Sequence, residues 1–272
     1  LKPTPDRLKG LKATNQDIYD SLVLGTTINK TIEGDSKSYS FHYVDWDNPE
    51  NNVFHVTAEF EVERTGSTKL RRCDIVCFVN GIPFVVIENK RPTEELAKAD
   101  AQLIKYQGES NIPQLFHFAQ VLMSMNRGQA RYAAVGTPRE FWIHWRDEAP
   151  DEGAVQELAA RGLAETESDA LAQGMELPPE PDQNEDRDGS TQDLGQGEGS
   201  ELGGLVNSPM GFREEQVVFS GPMNHAKGFF RQLAASGDRE VTEQDRTLYA
   251  LCRKDRLLDL VRRFTVFEGG IR

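Results

Sequence analysis

Apolar residues along this chain recur in two rhythms. In residues 53–64 (VFHVTAEFEVER), 73–80 (CDIVCFVN) and 83–90 (PFVVIENK), β-branched and aromatic residues crowd short runs bounded by turn formers, which predicts three strands. Residues 119–126, 130–136 and 140–145 (EFWIHW) predict further strands. Helical spacing appears first in TNQDIYDSLVLG, where a Thr or Asn cap precedes Ile18, Leu22 and Val23. Thr93 through Gln107 predicts a second helix, opening on Thr with two glutamates in its first turn. Residues 214–232 and 242–264 also read as helical, the latter opening on Thr242-x-x-Asp245 as a capping box.

The runs 73–80 and 83–90 flank Asn80-Gly81, a strong short hairpin signal, and the following Pro83 is expected to stay outside the ladder. With the turn near residue 81, Asp74 falls opposite Glu88 or one residue away. Strand alternation puts Glu88 and Lys90 on one face and points Asn89 away. Val76, Phe78, Val85, Val86 and Ile87 are apolar on both faces, as in a buried central pair of strands. Two carboxylates and an ammonium therefore converge at one end of a hydrophobic hairpin.

The net charge of −13 at first excludes a nucleic-acid binder, but it is unevenly spread. Between Asp147 and Leu205 there are 17 Asp and Glu against two basic residues, Arg161 and Arg187, so the rest of the chain sums to +2. The acidic stretch is rich in Pro and Gly and nearly devoid of large apolar residues, and reads as a flexible insert. Its first part, AVQELAARGLAETESDALAQGM, has the spacing of a marginal helix. Three parts are expected: residues 1–147 as an α/β domain, 148–210 as the acidic insertion and 211–272 as a helical segment.

No apolar run approaches the roughly 20 residues that span a bilayer, and LKPTPDRLKGLK has no apolar h-region of a secretory signal. The three cysteines, Cys73, Cys77 and Cys252, form no disulfide framework and suit a reducing cytoplasm. Cys73 and Cys77, four apart on a strand, are expected on the same face. The five histidines (His42, His55, His117, His144, His225) lack zinc-ligand spacing and read as structural.

Two adjacent carboxylates would repel, and a hard divalent cation removes that conflict. Asp74 and Glu88 with the carbonyl of Asn89 form a plausible ligand set for Mg²⁺, with Mn²⁺ as a substitute. Lys90 could orient or deprotonate water there. The bland reading is an exposed Glu88–Lys90 ion pair where a strand meets solvent, worth little. It weakens when the next helix is added, because Gln102 and Tyr106 are four apart and share a face. Lys69, Arg71, Arg72, Arg91, Lys98 and Lys105 surround the same region and could contact phosphates.

Asp74, Glu88-x-Lys90 and Gln102-x-x-x-Tyr106 together resemble the PD-(D/E)xK nuclease core in its Q-x-x-x-Y branch. The wording RRCDIVCFVNGIPFVVIENKRP, with DWDNPENNVFHV before it and IPQLFHFAQVLMSMNRGQARYAAVGT after it, resembles the N-terminal nuclease domain of the restriction (R, HsdR) subunit of type I restriction enzymes. RKDRLLDLVRRFTVFEGGIR is similar to the segment leading into the helicase motor of those subunits. The resemblance implies a restriction-endonuclease-like α/β core with a mixed central sheet, and metal-dependent hydrolysis of double-stranded DNA. It implies metal ligation by Asp74, Glu88 and Asn89, with Lys90 at the water. Gln102 would bond within the site or to DNA, and Tyr106 would orient the backbone or pack beneath.

It further implies a prokaryotic cytoplasmic setting and separate specificity and methyltransferase subunits as partners. A further acidic ligand is expected upstream of residue 1, since residues 15–24 offer only Asp17 and Asp20. ATP would act only through a motor absent from this sequence, which contains no G-x-x-x-x-G-K-[ST]. Two alternatives stay open. One is a non-catalytic DNA-binding or docking module, the other a repair or recombination nuclease on the same core.

Overall fold

The computed structural model describes residues 10–32, 34–146, 151–160, 240–265 and 267. Most of the acidic stretch and the expected helix 214–232 lie outside them. Helix α1 (Gly10–Leu24) leads into a hairpin of β1 (Thr26–Ile32) and β2 (Asp35–Phe41), then β3 (Phe54–Glu63), β4 (Leu70–Val79) and β5 (Ile82–Asn89). Helix α2 (Leu96–Tyr106) and the single turn α3 (Pro113–Phe116) precede β6 (Val121–Asn126) and β7 (Gln129–Ala134). Helices α4 (Glu152–Ala160), α5 (Glu243–Cys252) and α6 (Lys254–Phe264) complete the described elements.

The central sheet has five strands in the order β3-β4-β5-β6-β7. Pairing is antiparallel throughout except between β5 and β6, which are parallel and joined by the α2 crossover. Strands β5 and β6 are buried along nearly their whole length, which is why their sequences are continuously apolar instead of alternating. Helices cover both faces. On one, Leu103 and Tyr106 of α2, with Ile112, Leu115 and Phe116, pack on Val76, Val86 and Leu122. On the other, Ile18 and Leu22 of α1 join Leu251, Leu257, Leu258 and Val261 of α5 and α6 over Val85, Ile87, Met123 and Met125. This mixed α/β arrangement is that of a restriction-endonuclease-like core, as the motif resemblance implied. No described helix is long and apolar enough to cross a membrane.

The β4–β5 turn has the expected chemistry. Asn80 and Gly81 are both left-handed (φ 51° and 78°), as a two-residue type I′ turn requires. The Asn80 side chain accepts from Val53 N–H and donates to the Tyr43 carbonyl and Asn52, tying the turn to the segment before β3. Pro83, however, does not stay outside the strand; it pairs opposite Phe78. The register shifts between Cys77 and Phe78, and this bulge interrupts the ladder where proline has no N–H to give.

Other expectations are corrected. Residues 140–145 form no strand: Arg139–Phe141 is a 3-10 turn, and only Ile143 bridges to Tyr132. Trp142 drives this by burying its ring and donating its indole N–H to the Thr137 carbonyl. Helix α2 begins at Leu96 instead of Thr93, because Glu94 is used in a turn in which its N–H donates to the Arg91 carbonyl. The continuous helix expected over 242–264 breaks at Arg253, whose extended ψ of 143° ends α5 and starts α6. Both pieces thereby reach the same sheet face. The Thr242–Asp245 capping box is present, with Asp245 accepting from the Thr242 N–H and hydroxyl.

Candidate active site

The row that matters crosses the sheet on the α2 side. Alternation along β5 puts Val86 and Glu88 on that face, and register places Glu88 level with Ser124 of β6, which pairs in turn with Arg131 of β7. Helix α2 lies over this row and drops polar side chains onto it from an otherwise apolar stripe.

Asp74, at the β4 side, accepts the backbone N–H of Asn89 on Oδ2 at 2.7 Å. Glu88 is 0% exposed. Its Oε1 accepts from Lys90 Nζ at 2.7 Å, while Oε2 is buried without a hydrogen-bond partner. Lys90 Nζ also donates to Gln102 Oε1 at 2.8 Å. Gln102 passes the chain on, donating from Nε2 to the Tyr106 hydroxyl at 2.8 Å, and that hydroxyl donates to the Arg72 carbonyl at 3.2 Å. Lys90 is itself fixed at the backbone, where its N–H donates to the Met125 carbonyl. The structure thus brings Asp74, Glu88, Lys90, Gln102 and Tyr106 into one connected cluster. Asn89 enters through its backbone N–H, and its residue is exposed as alternation requires.

The electrostatics are those of crowded carboxylates. Burial pushes Glu88 up to about 8, the Asp74 charge adds to the rise, and Lys90 opposes it. Burial also raises Asp74, against the opposing pull of the Asn89 N–H and Lys90. With both ionised, Glu88 Oε2 has no donor at all. A buried, unpaired carboxylate oxygen beside a second carboxylate is a donor set that fits a divalent cation. No group of three His, Cys, Asp or Glu suited to a metal occurs among the described residues.

Several expectations shift. Cys73 is buried on the α2 face, whereas Cys77 packs with the opposite cluster, so they do not share a face. Glu59, which lies level with Asp74 across the β3–β4 pair, is left-handed (φ 55°), and the alternation is broken beside it. Asp17 and Asp20 of α1 are exposed. Of the surrounding cations, Arg71 donates to Asn111, Arg72 pairs with Glu59, and Lys98 pairs with Glu94 on the surface.

One group went unnoticed in the sequence. Asp100 of α2 is 0% exposed and accepts from the Ser124 hydroxyl, from Arg131 at 2.9 Å and from Arg139 at 3.3 Å. It stands on the buried stripe formed by Leu96, Ala99, Leu103 and Tyr106. A carboxylate at that spacing is the signal that could have revealed it.

The comparisons with known proteins agree with the geometry. The family model described as type I restriction enzyme R protein N terminus matches residues 2–141, which include every residue of the cluster. A putative type I restriction enzyme MjaIXP endonuclease subunit of Methanocaldococcus jannaschii is 31% identical over 125 residues, 46% of this chain and 12% of that protein. The type I restriction enzyme HindI endonuclease subunit of Haemophilus influenzae is 30% identical over 147 residues, 53% of this chain and 14% of that protein. The alignments span only about an eighth of these much longer relatives. The α/β core, the hairpin-end cluster and the family match converge: this chain belongs to the type I restriction enzyme R protein N-terminus family.

Proposed function

We propose that this chain is the DNA-hydrolysing part of a type I restriction enzyme, cutting phosphodiester bonds of double-stranded DNA with a divalent cation at the hairpin end. The observation that carries the reading is the orphaned Oε2 of Glu88, buried beside Asp74 with Lys90 on the other oxygen. Asp74, Glu88 and the carbonyl of Asn89 would hold Mg²⁺, with Mn²⁺ as a substitute. Bound there, such a cation supplies Lewis-acid charge to the phosphate and relieves the repulsion between the two carboxylates.

The residues of the chain do the rest. Water bonds to phosphorus while one ester P–O bond breaks, leaving a phosphomonoester and a hydroxyl end. Lys90 places its ammonium where it can orient the attacking water and offset charge that builds on the phosphate oxygens. Gln102 holds that ammonium in place from α2, and Tyr106 fixes Gln102 against the β4 backbone. This puts Lys90, Gln102 and Tyr106 in a positioning chain instead of giving each a separate contact with DNA. In the cell the chain would work in a prokaryotic cytoplasm, with target recognition and methylation supplied by other subunits and ATP used by a motor.

Binding of Mn²⁺, followed by electron paramagnetic resonance of the free ion, tests the ligand set apart from catalysis. The wild-type chain should bind the ion, and Asp74→Ala and Glu88→Ala should each weaken binding at least tenfold. Binding unchanged in both variants would place the cation elsewhere and remove the basis of the reading.

A further inference from the structure

Glu59 is a non-glycine residue held in the left-handed region in the middle of β3 (φ 55°). Such strain persists only where the surroundings enforce it, and it concentrates at functional sites. Register pairs Ala58 with Ile75 and Phe60 with Cys73, so Glu59 is level with Asp74. Its carboxylate forms an ion pair with Arg72. Yet the direct cross-strand neighbour of Arg72 is another glutamate, Glu61. Arg72 therefore leans along the sheet towards Asp74 instead of reaching straight across. Its charge acts on Asp74, as does that of Lys90.

Arg72 is placed from two directions. The Tyr106 hydroxyl holds its backbone carbonyl, and Glu59 holds its guanidinium. Its side chain is still 36% exposed, whereas that of Lys90, already bonded to Glu88 and Gln102, is 18% exposed. A guanidinium fork matches carboxylate and phosphate with the same planar geometry, so one can replace the other without moving the arginine far. The cluster of Glu59, Asp74 and Glu88 would otherwise repel a polyanion.

We propose that Arg72 grips the DNA phosphate next to the scissile one, and that Glu59 holds the guanidinium in the DNA-free protein and exchanges it for that phosphate as duplex binds. The proposal rests on the DNA-hydrolysis reading. In it Arg72 is a substrate-binding residue and Glu59 a competitor that lowers affinity for loosely seated DNA.

The test is binding of a short fluorescein-labelled duplex to the full chain by anisotropy, with Ca²⁺ in place of Mg²⁺, over a range of salt. Arg72→Ala should weaken binding about tenfold and reduce the salt slope by about one phosphate contact. Glu59→Gln should tighten binding severalfold, and the double variant should behave as Arg72→Ala. Arg72→Lys, which keeps the charge but loses the fork, should fall between wild type and Arg72→Ala with the wild-type slope; it decides the case if Arg72→Ala fails to fold. An unchanged slope in Arg72→Ala, or weaker binding in Glu59→Gln, would reduce the pair to a structural ion pair. If the wild type binds and nicks DNA, that result overturns this proposal alone. A wild type that neither binds nor nicks overturns the DNA reading with it.

Discussion

Lys90 Nζ lies 2.7 Å from Glu88 Oε1, and the other oxygen of the same carboxylate is buried without a hydrogen-bond partner. A structural ion pair at a strand end has no need of that arrangement. Removing a carboxylate from water is costly, and one lysine on one oxygen offsets only part of the cost. Under the proposed metal-dependent reading a divalent cation supplies the missing partner, and the hydrogen bonds to Gln102 and Glu88 hold the lysine beside it.

Gln102 is the nearest support of that lysine. Gln102→Ala should lower the rate of DNA nicking about 10- to 100-fold, as expected for losing a hydrogen bond to a charged group of about 1.5–3 kcal/mol. Tyr106→Phe, which removes the acceptor for Gln102 Nε2 and the tether to the Arg72 carbonyl but keeps the Gln102–Lys90 bond, should cost about 1 kcal/mol, or several-fold. Steady-state nicking rates for the two variants, with thermal unfolding in parallel, check the order of the effects.

Asp100 is a stability residue in this account. Asp100→Ala leaves the buried Ser124 hydroxyl and the partly exposed Arg131 and Arg139 without their common acceptor, and should destabilise the fold by about 1–3 kcal/mol. For a domain of this size that lowers the unfolding midpoint by several degrees. Scanning calorimetry of Asp100→Ala and the milder Asp100→Asn gives the comparison.

The C-terminal helices are load shared with the sheet. Leu258 is 1% exposed and packs in the cluster that contains Ile87 and Met123. Leu258→Ala should cost about 2–5 kcal/mol through lost burial and the cavity left behind. A denaturant titration that shows no loss would mean that α6 is a detached connector.

His117 gives a pH dependence of stability. Burial holds its folded value below the ordinary 6.5, so as pH falls the unfolded chain takes up the proton first. The stability gained from keeping this ring neutral is present above about 6.5 and is lost as pH falls towards the folded value. His117→Gln should therefore make the decline in unfolding midpoint shallower between about pH 7 and 5.

The strands that carry the site were legible because they are buried on both faces. Their apolar runs, the Asn80-Gly81 turn and the polar ends at Asp74 and Glu88 state the hairpin and its register without help from the rest of the chain. Helical spacing put the α2 residues Gln102 and Tyr106 on one face, and their place beside Glu88 and Lys90 came from the resemblance to the Q-x-x-x-Y nuclease branch. The β1–β2 hairpin escaped because all but Thr26 of its residues are exposed, so TTINKTI and DSKSYSF carry no buried face to alternate against. EFWIHW misled for the opposite reason: it has strand composition, but the Trp142 anchor and the turn at Arg139–Phe141 settle its path. The break at Arg253 interrupts an unbroken helical pattern, and only packing of Leu251 and Leu257 on one sheet face reveals the need for it. Cys73 and Cys77 fall on opposite faces because the alternation breaks near Asp74, at the level of the left-handed Glu59, which composition does not announce.

The central claim is that the hairpin end cuts DNA with a bound divalent cation. The most direct test is nicking of supercoiled plasmid by the wild-type chain and by Lys90→Ala and Asp74→Ala, with Mg²⁺, with Mn²⁺ and with a chelator. The expected result is metal-dependent nicking by the wild type that both substitutions abolish while the thermal midpoint stays near the wild-type value. Nicking that survives in Lys90→Ala, or that proceeds in the chelator, would contradict the account.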